Sequence, residues 1–171
     1  AEAFIKTYEE TLAMVKEVEQ LTINPADYAY EITKTGKRDD SVENYRIHRQ
    51  KQEGLYYVEY HPAGGDANVE HLLAALDYAV RLDQVEARIA PDQALFFINL
   101  TADEARKIAE ITDDSAENDF RRSVSCVGST VCQIGMQDSN GLLKDIFAHL
   151  EEKGVDTSKL PRLHISGCPH S

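Results

Sequence analysis

The sequence predicts an α+β fold: a small antiparallel sheet with helices on one side, followed by the opening of an α/β segment. Three observations carry this. Short alternating runs mark strands at 55–61, 84–89 and 94–100, and apolar residues at helical spacing mark helices after the first and third of them. Beyond position 115, two cysteine-bearing loops flank one further helix. The 171 residues, 42% hydrophobic and 28% charged, suit one or two small domains with a real core.

Taken in order, Phe4, Ile5, Tyr8, Leu12, Val15, Val18 and Leu21 repeat at helical spacing, so the first twenty or so positions form an amphipathic helix ending before Asn24-Pro25. Tyr28, Tyr30 and Ile32 alternate, and Lys34 to Asp40 is polar with one glycine, which reads as a strand and an exposed turn. Tyr45 to Gln50 and Leu55 to His61 are extended segments joined by a short turn at Lys51 to Gly54. Pro62 to Asp66 is a turn, and Val69, Leu72, Leu73, Leu76, Ala79 and Val80 line one helix face. Strands at Gln84–Ile89 and Ala94–Leu100 flank Ala90-Pro91-Asp92-Gln93. Thr101 with Glu104 three residues on is a capping-box signature, and Ala105, Ile108 and Ile111 form that helix's inner face. The order strand, helix, strand, strand, helix is a ferredoxin-like half-unit. Acidic, polar Thr112 to Asp119 marks a boundary. A helix from about Asn140 to Lys153 is closed by Gly154, and a strand at Arg162–Ile165 leads into the last loop. The expected division is 1–52 as helical lead-in and connector, 53–114 as the half-unit, and 115–171 as the beginning of a second domain.

A net charge of −12 repels phosphate backbones and anionic membranes, which excludes nucleic acid as a partner. No apolar run approaches bilayer length and no basic start precedes an apolar block, so a cytoplasmic protein without a membrane partner is expected. The missing initiator methionine and the end at Ser171 read as a piece of a longer polypeptide.

The three cysteines carry the chemistry. Cys126 and Cys132 have five residues between them in Ser-Cys-Val-Gly-Ser-Thr-Val-Cys, and Cys168 follows in Ile-Ser-Gly-Cys-Pro-His-Ser. Thiolates are soft ligands that suit iron and zinc. Gly167 lets a backbone approach a bulky group, and Pro169 fixes its own φ. On spacing alone, three unrelated buried cysteines are an equal reading. A disulfide leaves one thiol over. Zinc wants a fourth ligand, for which His164 or His170 would serve, although five intervening residues is not the usual zinc knuckle spacing.

With their flanks, these motifs resemble the siroheme-dependent nitrite and sulfite reductases. Their cluster is held by a Cys-x5-Cys pair and a later Gly-Cys-Pro-x-x-Cys pair, whose last cysteine would be the residue after Ser171. Positions 85 to 97 are similar to the family's Arg-x-Thr-x-x-Gln-Asn-Leu signature: Arg88 and Gln93 match, whereas Ala90 and Ala94 do not. The likeness covers roughly positions 45 to 171. It implies a ferredoxin-like half-domain followed by the beginning of a siroheme and 4Fe-4S domain, a [4Fe-4S] cluster on Cys126, Cys132 and Cys168, and siroheme. Both cofactors would belong to the full-length parent. That parent would reduce sulfite to sulfide or nitrite to ammonia by six electrons, partnered by its own first half and an unidentified electron donor. The 171 residues alone are expected to be inactive, to lack the cofactors and to self-associate through the face that meets the other half. A non-catalytic metal-binding or interaction module of the same fold is the alternative.

By the resemblance, Arg88 and Gln93 are partners for siroheme carboxylates, a task that suits paired guanidinium donors. Arg121 and Arg122, just ahead of Cys126, are further cofactor candidates. Each also reads as a solvated loop or strand-end residue. Arg46, His48, Arg49 and Lys51 form a basic face that either meets cofactor or lines an exposed strand. Where the family often carries arginine near its anion, this chain has Glu59, Tyr60 and His61, so no catalytic residue is assigned. His71 and His149 read as helix surface.

Overall fold

The computed structural model describes residues 2–18 and 31–170. Two compact units divide the chain, 1–33 and 34–171. In the first, α1 spans Glu2–Val18. Its residues Phe4, Ile5, Tyr8 and Met14 are exposed, and Lys6 pairs with Glu10 one turn on at 3.8 Å. The expected helix positions beyond 18, and Tyr28 and Tyr30 of the expected strand, lie outside the described residues. Positions 31–39 form neither helix nor strand.

The second unit is built on a four-stranded antiparallel sheet in the order β1-β2-β4-β3: β1 Ile47–Arg49, β2 Tyr56–Tyr60, β3 Glu86–Ile89 and β4 Leu95–Leu100. Helices α2, Val69–Ala79, and α3, Ala102–Ile111, follow β2 and β4. This is the expected ferredoxin-like half-domain, with β1 added beside β2 as an edge strand. The register pairs Ile47 with Val58, Glu59 with Phe96, Tyr60 with Leu95 and Arg88 with Phe96.

Period-two alternation decides the faces. Tyr56, Val58, Tyr60, Phe97 and Leu100 join Ala75, Ala79, Ala105 and Ile108 of the helices in one core, all at most 5% exposed. The opposite face carries the His48–Tyr57–Phe96 aromatic contacts and Glu59. Between Tyr56 and Val58 the pairing with β4 slips, because β4 holds one extra residue there. Asn99 absorbs the bulge at φ 63°, a left-handed conformation that asparagine tolerates, and its side-chain amide donates to the Gln84 carbonyl at 2.8 Å.

The capping box forms: Thr101 N–H donates to Glu104 at 2.8 Å. Lys34 bonds the same carboxylate at 2.7 Å, while Tyr56 and Asp39 exchange hydrogen bonds at 2.8 and 2.9 Å. Together these bonds strap residues 34–42 across the half-domain. At the other end of α3, Arg46 donates to the carbonyls of Ala109 at 3.2 Å and Thr112 at 2.6 Å. That places a cation on the last turn, where carbonyls lack helical partners.

Residues 112–116 run along the end of β2. Ser115 Oγ accepts from His61 N–H at 3.0 Å and Ala116 N–H donates to the His61 carbonyl at 2.8 Å, so Thr112, Ser115 and Ala116 are buried despite their polar neighbours. Beyond them, a two-stranded parallel sheet joins β5, Val124–Ser125, to β6, His164–Ile165, under α4, Ser139–Glu152. Phe120, Leu143 and Phe147 form its small core, backed by Ile146, Leu150, Leu163 and Ile165. Gly154 follows the helix at φ 62°, as its position predicts.

Candidate metal and cofactor site

Parallel pairing of β5 with β6 is what joins the two cysteine loops. Val124 lies opposite His164 and Ser125 opposite Ile165, so Cys126 emerges from β5 beside the residues leading to Cys168. The Cys126 N–H donates to the Ile165 carbonyl at 3.0 Å, and the Gly167 N–H donates to Cys126 Sγ at 3.2 Å. Cys132 is tied in by its own N–H, which reaches the Gly128 carbonyl at 2.9 Å. Met136 and Gln137 N–H groups both donate to the Gly167 carbonyl, at 2.8 and 3.1 Å. Two loops forty residues apart in sequence thus share one set of backbone bonds.

Glycine makes that interleaving possible at two positions in particular. A Cβ on Gly128, whose φ is 62°, would fall 2.5 Å from the Gln137 carbonyl oxygen and 2.7 Å from Ser139 N and Oγ. On Gly167 it would fall 2.5 Å from that same oxygen and 3.2 Å from Gly128 Cα. Any side chain at either place would push the loops apart.

Cys126 is exposed and Cys132 and Cys168 are half-buried. Ser139 Oγ lies 3.0 Å from Cys126 Sγ and holds the thiol's pKa below its usual value, helped by the Gly167 and Gly128 N–H groups. Low-pKa thiols are the ones that ligate metals readily. Thiolates around one tetrahedral zinc, at about 2.3 Å from the ion, would stand roughly 3.8 Å apart. Among the described residues, the three potential ligand atoms that approach within 4.8 Å of one another belong to His71, Asp113 and Asp114, not to the cysteines. The three cysteine sulfurs therefore do not all lie within 4.8 Å of one another, wider than three thiolates on a single tetrahedral zinc would stand. His164 and His170, the zinc alternatives, are both exposed, and His164 lies on β6.

The other sequence-predicted residues are dispersed. Arg88 is exposed on the edge strand β3 and pairs with Glu86 at 2.9 Å. Gln93 sits in the β3–β4 loop at φ 65° and donates to the Ser125 carbonyl at 3.0 Å, so it touches the residue preceding Cys126. Arg121 pairs with Glu151 at 3.2 Å and lies 5.0 Å over the Phe147 ring. Arg122 turns toward the half-domain: its guanidinium meets Glu59 on β2 and Asp92 in the β3–β4 loop, the latter at 3.1 Å. The basic group near β1 is likewise distributed. Arg46 serves α3, His48 stacks with Tyr57, Arg49 pairs with Glu43 at 2.9 Å, and Lys51 is exposed.

Three features escape sequence reasoning. Ser139 Oγ contacts Cys126 from the first turn of α4, thirteen residues downstream. Half-buried Arg122 pairs with buried Glu59 beside His61, which is 1% exposed with neither ring nitrogen hydrogen-bonded. Burial raises the Glu59 carboxyl pKa against the opposing pull of Arg122, and burial followed by Arg122 lowers that of His61. His71, read as helix surface, has Nδ1 3.2 Å from Asp113 and 3.1 Å from Asp114. Its helical context hides partners that arrive from beyond α3.

No family model matches the chain. It is similar to a ferredoxin–nitrite reductase of Synechococcus elongatus, 29% identical over 130 residues, which are 73% of this chain and 25% of that protein. The NAD(P)H nitrite reductase large subunit of Klebsiella oxytoca is 28% identical over 136 residues, 75% of this chain and 14% of the relative. The NADPH sulfite reductase hemoprotein beta-component of Lysinibacillus sphaericus is 27% identical over 110 residues, 58% and 19%. The chain therefore spans a quarter or less of these relatives. In fold it is similar to the NirA protein of Mycobacterium tuberculosis, with a TM-score of 0.62 at 22% identity, covering 74% of this chain and 25% of that one.

Proposed function

We propose that this chain, which belongs with the sulfite and nitrite reductases, holds part of the electron-delivering centre of a siroheme enzyme that reduces sulfite or nitrite. Cys126, Cys132 and Cys168 are three of the four thiolate ligands of a [4Fe-4S] cluster, and the fourth comes from outside these 171 residues. One observation carries this reading. The β5–β6 pairing and the close approach of Gly128 and Gly167 gather both cysteine loops into one hydrogen-bonded unit. When bound, the cluster and siroheme supply stepwise electron transfer to an anion.

The chain's own residues fix where those groups sit. Ser139 and the Gly167 N–H hold the Cys126 sulfur. Gln93 and Arg122 tether the β3–β4 loop to the strand that delivers Cys126. Arg88 and Arg121 are the candidate partners for siroheme carboxylates, since among the described residues the ion pair each makes is with an exposed or half-exposed glutamate that a tetrapyrrole carboxylate can replace. Arg122 and Gln93 would act mainly through position, because Gln93 binds the strand that precedes Cys126 and Arg122 is held by Glu59 and Asp92. The substrate anion, the electron donor and the partner half all belong to the longer protein.

The test is metal content of the longer protein carrying serine at Cys126, Cys132 or Cys168 in turn. Each single substitution should abolish cluster iron. Full iron retention in any of the three would remove that residue from the ligand set, and retention in all three would end the proposal.

A further inference from the structure

We infer that Ser139 is a positioning residue for the Cys126 ligand, fixing the direction of its sulfur through a hydroxyl that reaches both the main chain and the side chain of the same cysteine. The inference deepens the cluster reading and rests on it for its purpose. Ser139 Oγ lies 2.8 Å from the Cys126 carbonyl oxygen and 3.0 Å from Cys126 Sγ. A side chain holding two points of one residue fixes that residue's χ1, which one bond to a mobile sulfur cannot do.

The serine cannot drift. It is 1% exposed, and Asp138, ahead of it, anchors the helix by accepting from Gly141 N–H at 2.9 Å. Its N–H donates to the Gln137 carbonyl at 3.1 Å. Gly128 and Gly167 flank it so closely that a Cβ on either would come within 2.7 and 3.1 Å of Oγ. The glycines thus leave room for one small side chain between the two cysteine loops, and the chain places a hydroxyl there. No other side chain reaches Cys126 from α4 among the hydrogen bonds of the described residues.

Protons are conserved in a simple way. With the thiol protonated, S–H donates to Ser139 Oγ while the serine hydroxyl donates to the Cys126 carbonyl. Were iron to bind the sulfur, the thiol proton would leave to solvent and the single serine proton would be shared between the Cys126 carbonyl oxygen and the thiolate, both within reach of Oγ. The exposed Cys126 gives that proton a path. Hydrogen bonds to cluster sulfurs are among the features that set reduction potential, so the same hydroxyl contributes to the cluster's driving force.

The experiment labels the reduced, metal-free full chain anaerobically at pH 7 with limiting iodoacetamide and counts label at each cysteine by peptide mass spectrometry. Ser139→Ala should change the labelling rate at Cys126 by at least about twofold while Cys132 and Cys168 keep theirs, because a sulfur no longer held at two points of its residue samples other χ1 rotamers. Ser139→Gly removes the hydroxyl and further side-chain volume and should change the Cys126 rate as Ser139→Ala does, so that the effect follows the hydroxyl and not the space filled. Equal Cys126 labelling in the wild type and Ser139→Ala overturns the inference. If the alanine protein lacks a cooperative thermal transition, Ser139→Gly decides by the same comparison of Cys126 against Cys132 and Cys168. In the cluster-loaded longer protein, Ser139→Ala should shift the potential to a more negative value. A longer protein that never assembles a cluster would sink the functional reading and leave the labelling result standing, so the two failures are separable.

Discussion

Replacing Gly167 by alanine probes the junction on which the site depends. The added Cβ would lie 2.5 Å from the Gln137 carbonyl oxygen, 3.1 Å from Ser139 Oγ and 3.2 Å from Gly128 Cα. Attraction between such atoms is optimal at about 3.5 to 4.0 Å, so the oxygen must retreat by roughly 0.5 Å or more. That oxygen is main chain and accepts from Ser129 N–H at 2.9 Å, so it cannot swing aside as a side chain would. Moving it also strains the two bonds that Met136 and Gln137 make to the Gly167 carbonyl. Overpacking of this kind costs about 1 to 3 kcal/mol. Gly154→Ala is the matched control. Its Cβ meets nothing within 4 Å, and only the left-handed backbone at φ 62° opposes it, at roughly 1 kcal/mol. Urea denaturation should show the larger loss for Gly167→Ala, and iron analysis of the longer protein should show cluster loss for Gly167→Ala alone. Wild-type stability and iron content in Gly167→Ala would refute the idea that the loops meet through this contact.

Two other outcomes follow from the buried group beside β2. Arg122→Ala leaves the Glu59 side chain, 8% exposed, without its cation, a change expected to cost about 3 kcal/mol; a double Glu59→Gln, Arg122→Met protein should recover most of it, and a loss below about 1 kcal/mol by urea titration would reject the pairing's importance. His61 is held neutral by burial, its pKa lowered from 6.5. The unfolded chain therefore binds a proton that the folded chain refuses as pH falls below that value, so stability present at neutral pH is lost toward acid. Glu59, raised from 4.5, acts in the opposite sense: the folded form takes its proton first, so its contribution favours the fold at acid pH and fades as pH rises through its folded value. His61→Leu should flatten the decline just below pH 6.5 in urea midpoints, and an unchanged slope would assign the decline to other groups.

What could be read from the sequence was local. The Thr101 and Glu104 capping box needs only a spacing of three, and it forms. Alternation from Tyr56 to Tyr60 set the core face of β2 because every second residue packs beneath the helices. The same alternation could not tell that Glu59, on the other face, is also buried, since its cover comes from Arg122, more than sixty residues later. Likewise β1 was legible as an extended run, but its place beside β2 depends on pairing and not on its own composition. Arg46 reads as an ordinary strand arginine until α3 ends against it. Thr112 to Asp119 looks like a solvated boundary by composition, yet Ser115 and Ala116 supply the groups that complete the end of β2. At the site, the cysteine spacing announced a ligand pattern. Ser139 gave no signal, because a serine at the start of a helix is so common a cap that its contact with sulfur is visible only in three dimensions.

The central claim is that this chain contributes three thiolates to a cluster coupled to siroheme. An anaerobic absorption spectrum of the longer protein, produced alongside siroheme synthesis, with iron and zinc analysis of the same sample, addresses it directly. The account predicts Soret and α bands and about five irons per chain, four from the cluster and one from siroheme. Stoichiometric zinc, or a colourless protein without metal, would contradict it.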